Sequence, residues 1–217
     1  MEFFDAIIRF ITQPDEIISD LIKKYNDWIY IFLFLIVFAE TGLIVMSFLM
    51  PFLPGDALIF AVGMIAAKGE LEYSIIIPLL IFAALLGDNV NYLVGRRFGS
   101  FIMDSEKSYW IKKSHIQKAT DFFEKNGKKS IIIARFIPVI RTIVPFLCGT
   151  TKVSYRTFLL YSVIGALLWV GMIGTLGYFL GQFAFVNEHL GKFILLIIVL
   201  ANLPLIKQII HGRKKSS

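Results

Sequence analysis

Five apolar runs dominate the chain, at residues 28–39, 57–67, 73–86, 157–181 and 193–206. A helix needs roughly 20 mostly apolar residues to cross a bilayer, and backbone in lipid must satisfy its own hydrogen bonds, which leaves helices or closed barrels. Runs of this length, without strand-like alternation, point to helices. Hydrophobic residues make up 57% of the 217-residue chain, phenylalanine alone contributes 21, and mean hydropathy is +0.72, more than a soluble core of this size can bury. The chain therefore reads as an all-α polytopic membrane protein with one compact domain over 27–210. An amphipathic segment precedes it at 1–26, and a basic tail follows at 211–217.

Charge supports this layout. Nine of the 22 lysines and arginines fall within 96–130, between apolar blocks, and three more lie in the terminal "HGRKKSS". Basic loops of this kind mark the cytoplasmic side, so the C-terminus is expected to be cytoplasmic. The net charge of +6 is thus accounted for without nucleic acid. The single cysteine, Cys148, rules out an internal disulfide. The N-terminus has mixed charge and no basic n-region with a long apolar core, and so does not read as a cleavable signal.

Two apolar stretches contain what a simple span avoids. The stretch "ARFIPVIRTIVPFLCGTT" holds Arg135, Arg141, Pro138 and Pro145, with basic residues on both flanks. It is expected to enter the membrane and return as a re-entrant hairpin over about 131–151. "PFLPGD", with Pro51, Pro54 and Gly55, is expected to break a first hairpin over about 37–67, since proline removes donors and glycine permits a turn. Pro51-Phe52-Leu53-Pro54-Gly55 is echoed by Pro145-Phe146-Leu147-Cys148-Gly149, and Tyr92-Leu-Val-Gly95 by Tyr178-Phe-Leu-Gly181. Together these predict an inverted repeat with two opposed re-entrant hairpins, an arrangement that places binding sites near the midplane.

Five ionisable residues sit in or beside the apolar blocks: Glu40, Asp56, Asp88, Arg135 and Arg141. A charge at the bilayer centre costs about 2.5–3.5 kcal/mol on insertion scales, so such groups face a protein interior or a cavity. Six residues separate Arg135 from Arg141, about 600° of an unbroken helix, so the two converge only if the backbone is distorted near Pro138. Two guanidiniums on a loop suit a phosphate, because arginine stays charged and offers paired donors. Glu40 and Asp56 are acceptors able to carry protons. Asp88, one turn from Asn91 in "GDNVNY", reads as a polar contact between helices or a support for the cavity. Gly95/Gly99 and Gly177/Gly181 have the spacing of close helix packing, and Trp169, Tyr92 and Tyr178 read as packing aromatics. No nucleophile constellation, phosphate-binding glycine loop or metal-ligand spacing is present. An enzyme is therefore the least favoured class, and no metal or cofactor is expected.

The segments "FAETGLIV", "PFLPGDALIFAVG", "GDNVNYLVGRRFG", "FFEKNGKKSIIIARFIPVIRTIVPFLCGTTKVSYRTF" and "SVIGALLWVGMIGTLGYFLG" resemble the DedA family of bacterial inner-membrane proteins, also called the VTT-domain family, over about residues 25–210. The resemblance implies a lipid transporter with two opposed re-entrant hairpins. Some members are implicated in returning undecaprenyl phosphate across the cytoplasmic membrane, others in phospholipid flipping or scrambling, and several need the proton gradient. It places the family's functional acids on Glu40 and Asp56 and its functional arginines on Arg135 and Arg141. Asp88, Pro54, Gly55, Pro138, Pro145 and Gly149 are the expected supporting residues. The resulting expectation is a proton-coupled translocase of a polyprenyl phosphate, with homo-oligomers possible. Its rivals are a phospholipid flippase or scramblase, a proton-coupled ion exchanger, and a structural protein with buried ion pairs.

Overall fold

A computed structural model of the chain describes residues 28–42, 55–104, 113–137, 140–183 and 186. The amphipathic segment expected at 1–26, the proline-rich break with Pro51 and Pro54, Pro138, the run at 193–206 and the basic tail lie outside the described residues. Regular structure among the described residues is helical throughout: α1 (Trp28–Gly42), α2 (Gly55–Ala67), α3 (Tyr73–Asp104), α4 (Lys113–Asn126), α5 (Ser130–Ile133), α6 (Ile140–Thr150) and α7 (Tyr155–Gly181), with 3-10 turns at Gly127–Lys129 and Ala134–Phe136.

Two stretches are long and apolar enough to cross a membrane, Tyr73–Gly99 in α3 and Tyr155–Gly181 in α7, each of 27 residues. At 1.5 Å per residue each measures about 40 Å, more than the roughly 30 Å hydrocarbon core. Their outward faces are apolar: Phe82 and Leu93 on α3, and Leu160, Leu167, Met172, Leu176 and Phe179 on α7, are all exposed. Water would penalise such a surface and lipid does not. The long helix α3 keeps Pro78 inside it and runs beyond the apolar run at 73–86, past Arg96-Arg97, to Asp104.

The described chain divides into two compact units. The first holds residues 28–29, 55–76, 173–183 and 186. Within it, α2 lies tightly against the last turns of α7, because a Cβ on Gly177 would strike the Phe60 carbonyl and one on Gly181 would meet Met64 and Ala67. Phe60, Ala61, Met64 and Val186 form its apolar cluster. The Tyr73 hydroxyl meets that of Thr175 at 2.7 Å.

The second unit holds residues 30–42, 77–104, 113–137 and 140–172. Here the backbones of α3 and α6 touch: a Cβ on Gly95 would meet the Phe146 carbonyl, and one on Gly149 the Tyr92 carbonyl. At the start of the arginine-bearing stretch, α4 stops at Asn126 and Gly127 takes φ +56°, a left-handed turn that suits glycine. Short helical pieces follow until Ile137, which is extended at φ −116°, ψ 109°, the conformation a following proline favours. Beyond this break α6 begins at Ile140. Pro145, expected to interrupt the helix, instead lies inside α6. It removes the amide that would otherwise bond the Arg141 carbonyl one turn back.

Candidate functional site

The second unit gathers four of the five charges singled out in the sequence, Glu40, Asp88, Arg135 and Arg141, and each comes from a different segment. Glu40 stands in the last turn of α1 and Asp88 halfway along α3. Arg135 is in the 3-10 turn before the break, and Arg141 is in the first turn of α6. The extended Ile137 between the 3-10 turn and α6 takes the chain off a single helix, and the two arginines six residues apart line one cavity, together with Thr41, Asp88, Thr142 and Trp169.

Each arginine has its own carboxylate. Arg141 pairs with Glu40. Arg135 pairs with Asp88 through Nη2, and the same nitrogen donates to the Ser162 hydroxyl at 3.1 Å and the Ser162 carbonyl at 3.3 Å. The Ser162 hydroxyl in turn donates to Asp88. Three of these groups are nearly out of solvent, Glu40 at 7% exposed, Asp88 at 4% and Arg135 at 5%, and Arg141 is partly buried. Asp88, read from the sequence as a helix contact or support, is thus the direct partner of Arg135.

The indole of Trp169 serves both arginines. Its ring centre is 5.0 Å from the Arg141 guanidinium carbon and 6.0 Å from that of Arg135. A desolvated cation on an aromatic face gains about 2 kcal/mol. Trp169 shares one face of α7 with Ser162 and Gly165, at spacings of three and four. Gly165 makes room for the Arg135 shaft, since a Cβ there would lie 2.9 Å from its Cδ and 3.0 Å from its Nε.

One turn beyond Asp88 on α3, the buried Asn91 amide donates to the Thr41 carbonyl at 2.6 Å and, more weakly, the Thr142 carbonyl at 3.4 Å. Those carbonyls follow Glu40 and Arg141 in the chain, so Asn91 ties together the two backbones that carry the second ion pair. Gly42 and Gly87 add a close crossing of α1 and α3.

The remaining expected residues are placed as follows. Asp56 belongs to the first unit, in the first turn of α2 just after Gly55, where a carboxylate complements the helix dipole. Pro145 lies within α6, and Gly149 at its close contact with α3. Pro54 and Pro138 lie outside the described residues. Sequence reasoning missed Ser162 and the site roles of Gly165, Asn91 and Trp169. The spacing of Asp88, Asn91, Tyr92, Gly95 and Gly99 was the available signal, because it puts a polar and small stripe along one face of an apolar helix.

The two arginines and two carboxylates are balanced in formal charge, and the cavity between them measures about 10 Å³, near the minimum for one water molecule. A phosphate does not fit without displacing a carboxylate or the indole. The arrangement is chemically a pair of buried cations, each held by its own carboxylate.

Comparison with known proteins agrees with the resemblance noted in the sequence. The model of the VTT domain matches residues 53–179. The chain is 40% identical to Protein DedA of Escherichia coli K12, over all of this chain and 98% of that protein. It is 36% identical to Inner membrane protein YqjA of the same strain over 71% of this chain and 68% of YqjA. It is also 38% identical to an uncharacterised membrane protein of Mycobacterium leprae over 84% of this chain and 80% of that one. No solved structure matches. The chain is a membrane protein of the DedA, or VTT-domain, family.

Proposed function

We propose that the protein is a lipid-phosphate translocase of the bacterial inner membrane, that its substrate is a polyprenyl phosphate such as undecaprenyl phosphate, and that transport is coupled to protons. The observation that carries this reading is the convergence of Arg135 and Arg141 on one small buried cavity, each held by its own carboxylate. The head group takes the place of the carboxylates on the guanidiniums, while the polyprenyl tail stays in lipid. Two hairpins opening from opposite faces, about 37–67 and 131–151, would let the head group reach this point from either side.

Charge balance supplies the coupling. Two arginines and two carboxylates sum to zero, and an added phosphate ester brings one or two negative charges. Holding net charge in an apolar setting is costly, so each negative charge is best matched by a proton taken up on Glu40 or Asp88. Protonation also releases the arginine that the carboxylate had held. Asp56 keeps the proton-carrying role that the resemblance gives it, from the first turn of α2.

The test uses purified protein in liposomes containing polyprenyl phosphate, with head-group exposure on the outer leaflet followed with and without an imposed pH gradient. Gradient-driven flux that is lost in Arg141→Ala supports the reading. Flux indifferent to the gradient would make the protein a passive scramblase. Flux of ordinary phospholipid but not polyprenyl phosphate would change the substrate. Folded protein without flux, in a preparation that exchanges cations for protons, would favour an ion exchanger.

A further inference from the structure

A second basic feature stands apart from the buried pairs. Leu93, Arg96, Arg97 and Phe98 line a groove of about 860 Å³ beside the last third of α3. Residues 93, 96 and 97 share one helix face by their three- and four-residue spacing, and all four side chains are exposed. Two guanidiniums thus sit directly beside two large apolar side chains, in the last third of a helix whose outer face is apolar.

Arg96 is already oriented. Its Nη1 donates to the Tyr92 hydroxyl at 3.0 Å, and that hydroxyl donates to the Val153 carbonyl at 2.7 Å. The Tyr92 ring is stacked on Phe158 at 4.5 Å and lies 5.6 Å from Tyr155. Backbone contacts at Gly95 and Gly149 fix the same stretch of α3 against α6. A guanidinium fixed in this way loses less freedom on binding than a swinging one. The chain segment holding Val153 also carries the exposed Lys152 and Arg156, so positive charge comes to this end of the unit from two segments.

We propose that this groove is an anionic-phospholipid site, distinct from the arginine pair in the interior. The lipid phosphate lies across Arg96 and Arg97, and its acyl chains run along Leu93 and Phe98. Charge complementarity selects the head group, and the apolar partners select a molecule that already lies in the bilayer. An acidic protein segment would satisfy the arginines but gains nothing from Leu93, which belongs to the apolar part of the span. The inference does not rest on the transport reading.

Native mass spectrometry of the full-length protein tests it, titrating dioleoylphosphatidylglycerol or dioleoylphosphatidylcholine. Arg97→Gln is the decisive variant, because the exposed Arg97 can change without disturbing the Tyr92–Val153 anchor. The same comparison in an Arg141→Ala background removes any contribution from the interior pair. Expected is tighter binding of phosphatidylglycerol than phosphatidylcholine, weakened about fivefold by Arg97→Gln in both backgrounds and largely kept in Arg97→Lys. Unchanged phosphatidylglycerol binding in Arg97→Gln, equal binding of the two lipids by the wild type, or inorganic phosphate binding as tightly as phosphatidylglycerol would each overturn the proposal.

Discussion

Replacing Asp88 with asparagine keeps the shape of the side chain and removes its charge. Arg135 would then retain Ser162, at 3.1 Å to the hydroxyl and 3.3 Å to the carbonyl, but no anion opposite it at a position only 5% exposed. Removing one partner of a buried pair costs about 3–5 kcal/mol, because the other charge is left uncompensated. For a chain of this length that corresponds to a fall in Tm of roughly 6–20 °C. The assay is thermal unfolding of the purified protein in mild detergent, followed by circular dichroism, for Asp88→Asn, Arg135→Gln and the double variant. The double variant should recover part of the loss, because neither charge is then stranded, with a coupling of about 0.5–3 kcal/mol. A Tm for Asp88→Asn within about 2 °C of wild type would refute the reasoning. So would a double variant whose loss equals the sum of the single losses, since the two residues would then not be acting as a pair.

Other outcomes follow from the same geometry. Asn91→Ala should lower stability by about 1–3 kcal/mol, the cost of leaving a buried acceptor unsatisfied, measured by the same unfolding curves; a neutral result would mean that the Thr41 carbonyl does not depend on Asn91. Trp169→Leu removes a face shared by two cations and should cost about 2 kcal/mol, whereas Trp169→Phe should recover part of it. Gly149→Val presses on the α3 backbone and should prevent stable accumulation in the membrane, read by fluorescence-detected size exclusion, while Gly171→Ala, with nothing within 4 Å of a Cβ, should behave as wild type. Gly165→Ala should push the Arg135 shaft aside and lower transport in the liposome assay more than it lowers Tm.

The helical class was legible in the sequence because long apolar runs leave the backbone few options in lipid. The sequence left the meeting of Arg135 and Arg141 conditional on a distorted backbone between them; the two line one cavity. The choice of partners was not legible. Glu40 and Asp56 read as the acceptors of the site, yet Arg135 is taken by Asp88, the acid inside the apolar part of α3 that read as a helix contact or a support. That pairing depends on α3 approaching the arginine stretch closely enough for Gly95 and Gly149 to touch, and spacing along a chain does not report the distance between helices. Ser162, Gly165 and Trp169 looked ordinary for a related reason: a hydroxyl, a missing Cβ and an indole acquire roles only from what is packed against them. Pro145, which a simple span would avoid, lies inside α6, where its missing amide leaves the carbonyl one turn earlier without its helical partner.

The position of Trp169 also has an optical consequence. The chain has three tryptophans, so substituting phenylalanine for Trp28 and Trp110 leaves a single emitter whose ring lies against both guanidiniums. Its excited state senses the electric field of nearby charges, and that field changes whenever an arginine turns towards another anion. Emission from this single-tryptophan protein would therefore follow partner exchange in real time, without a labelled lipid or an attached dye. Stopped-flow fluorescence after a jump in pH could then time the proposed proton step separately from the proposed movement of lipid.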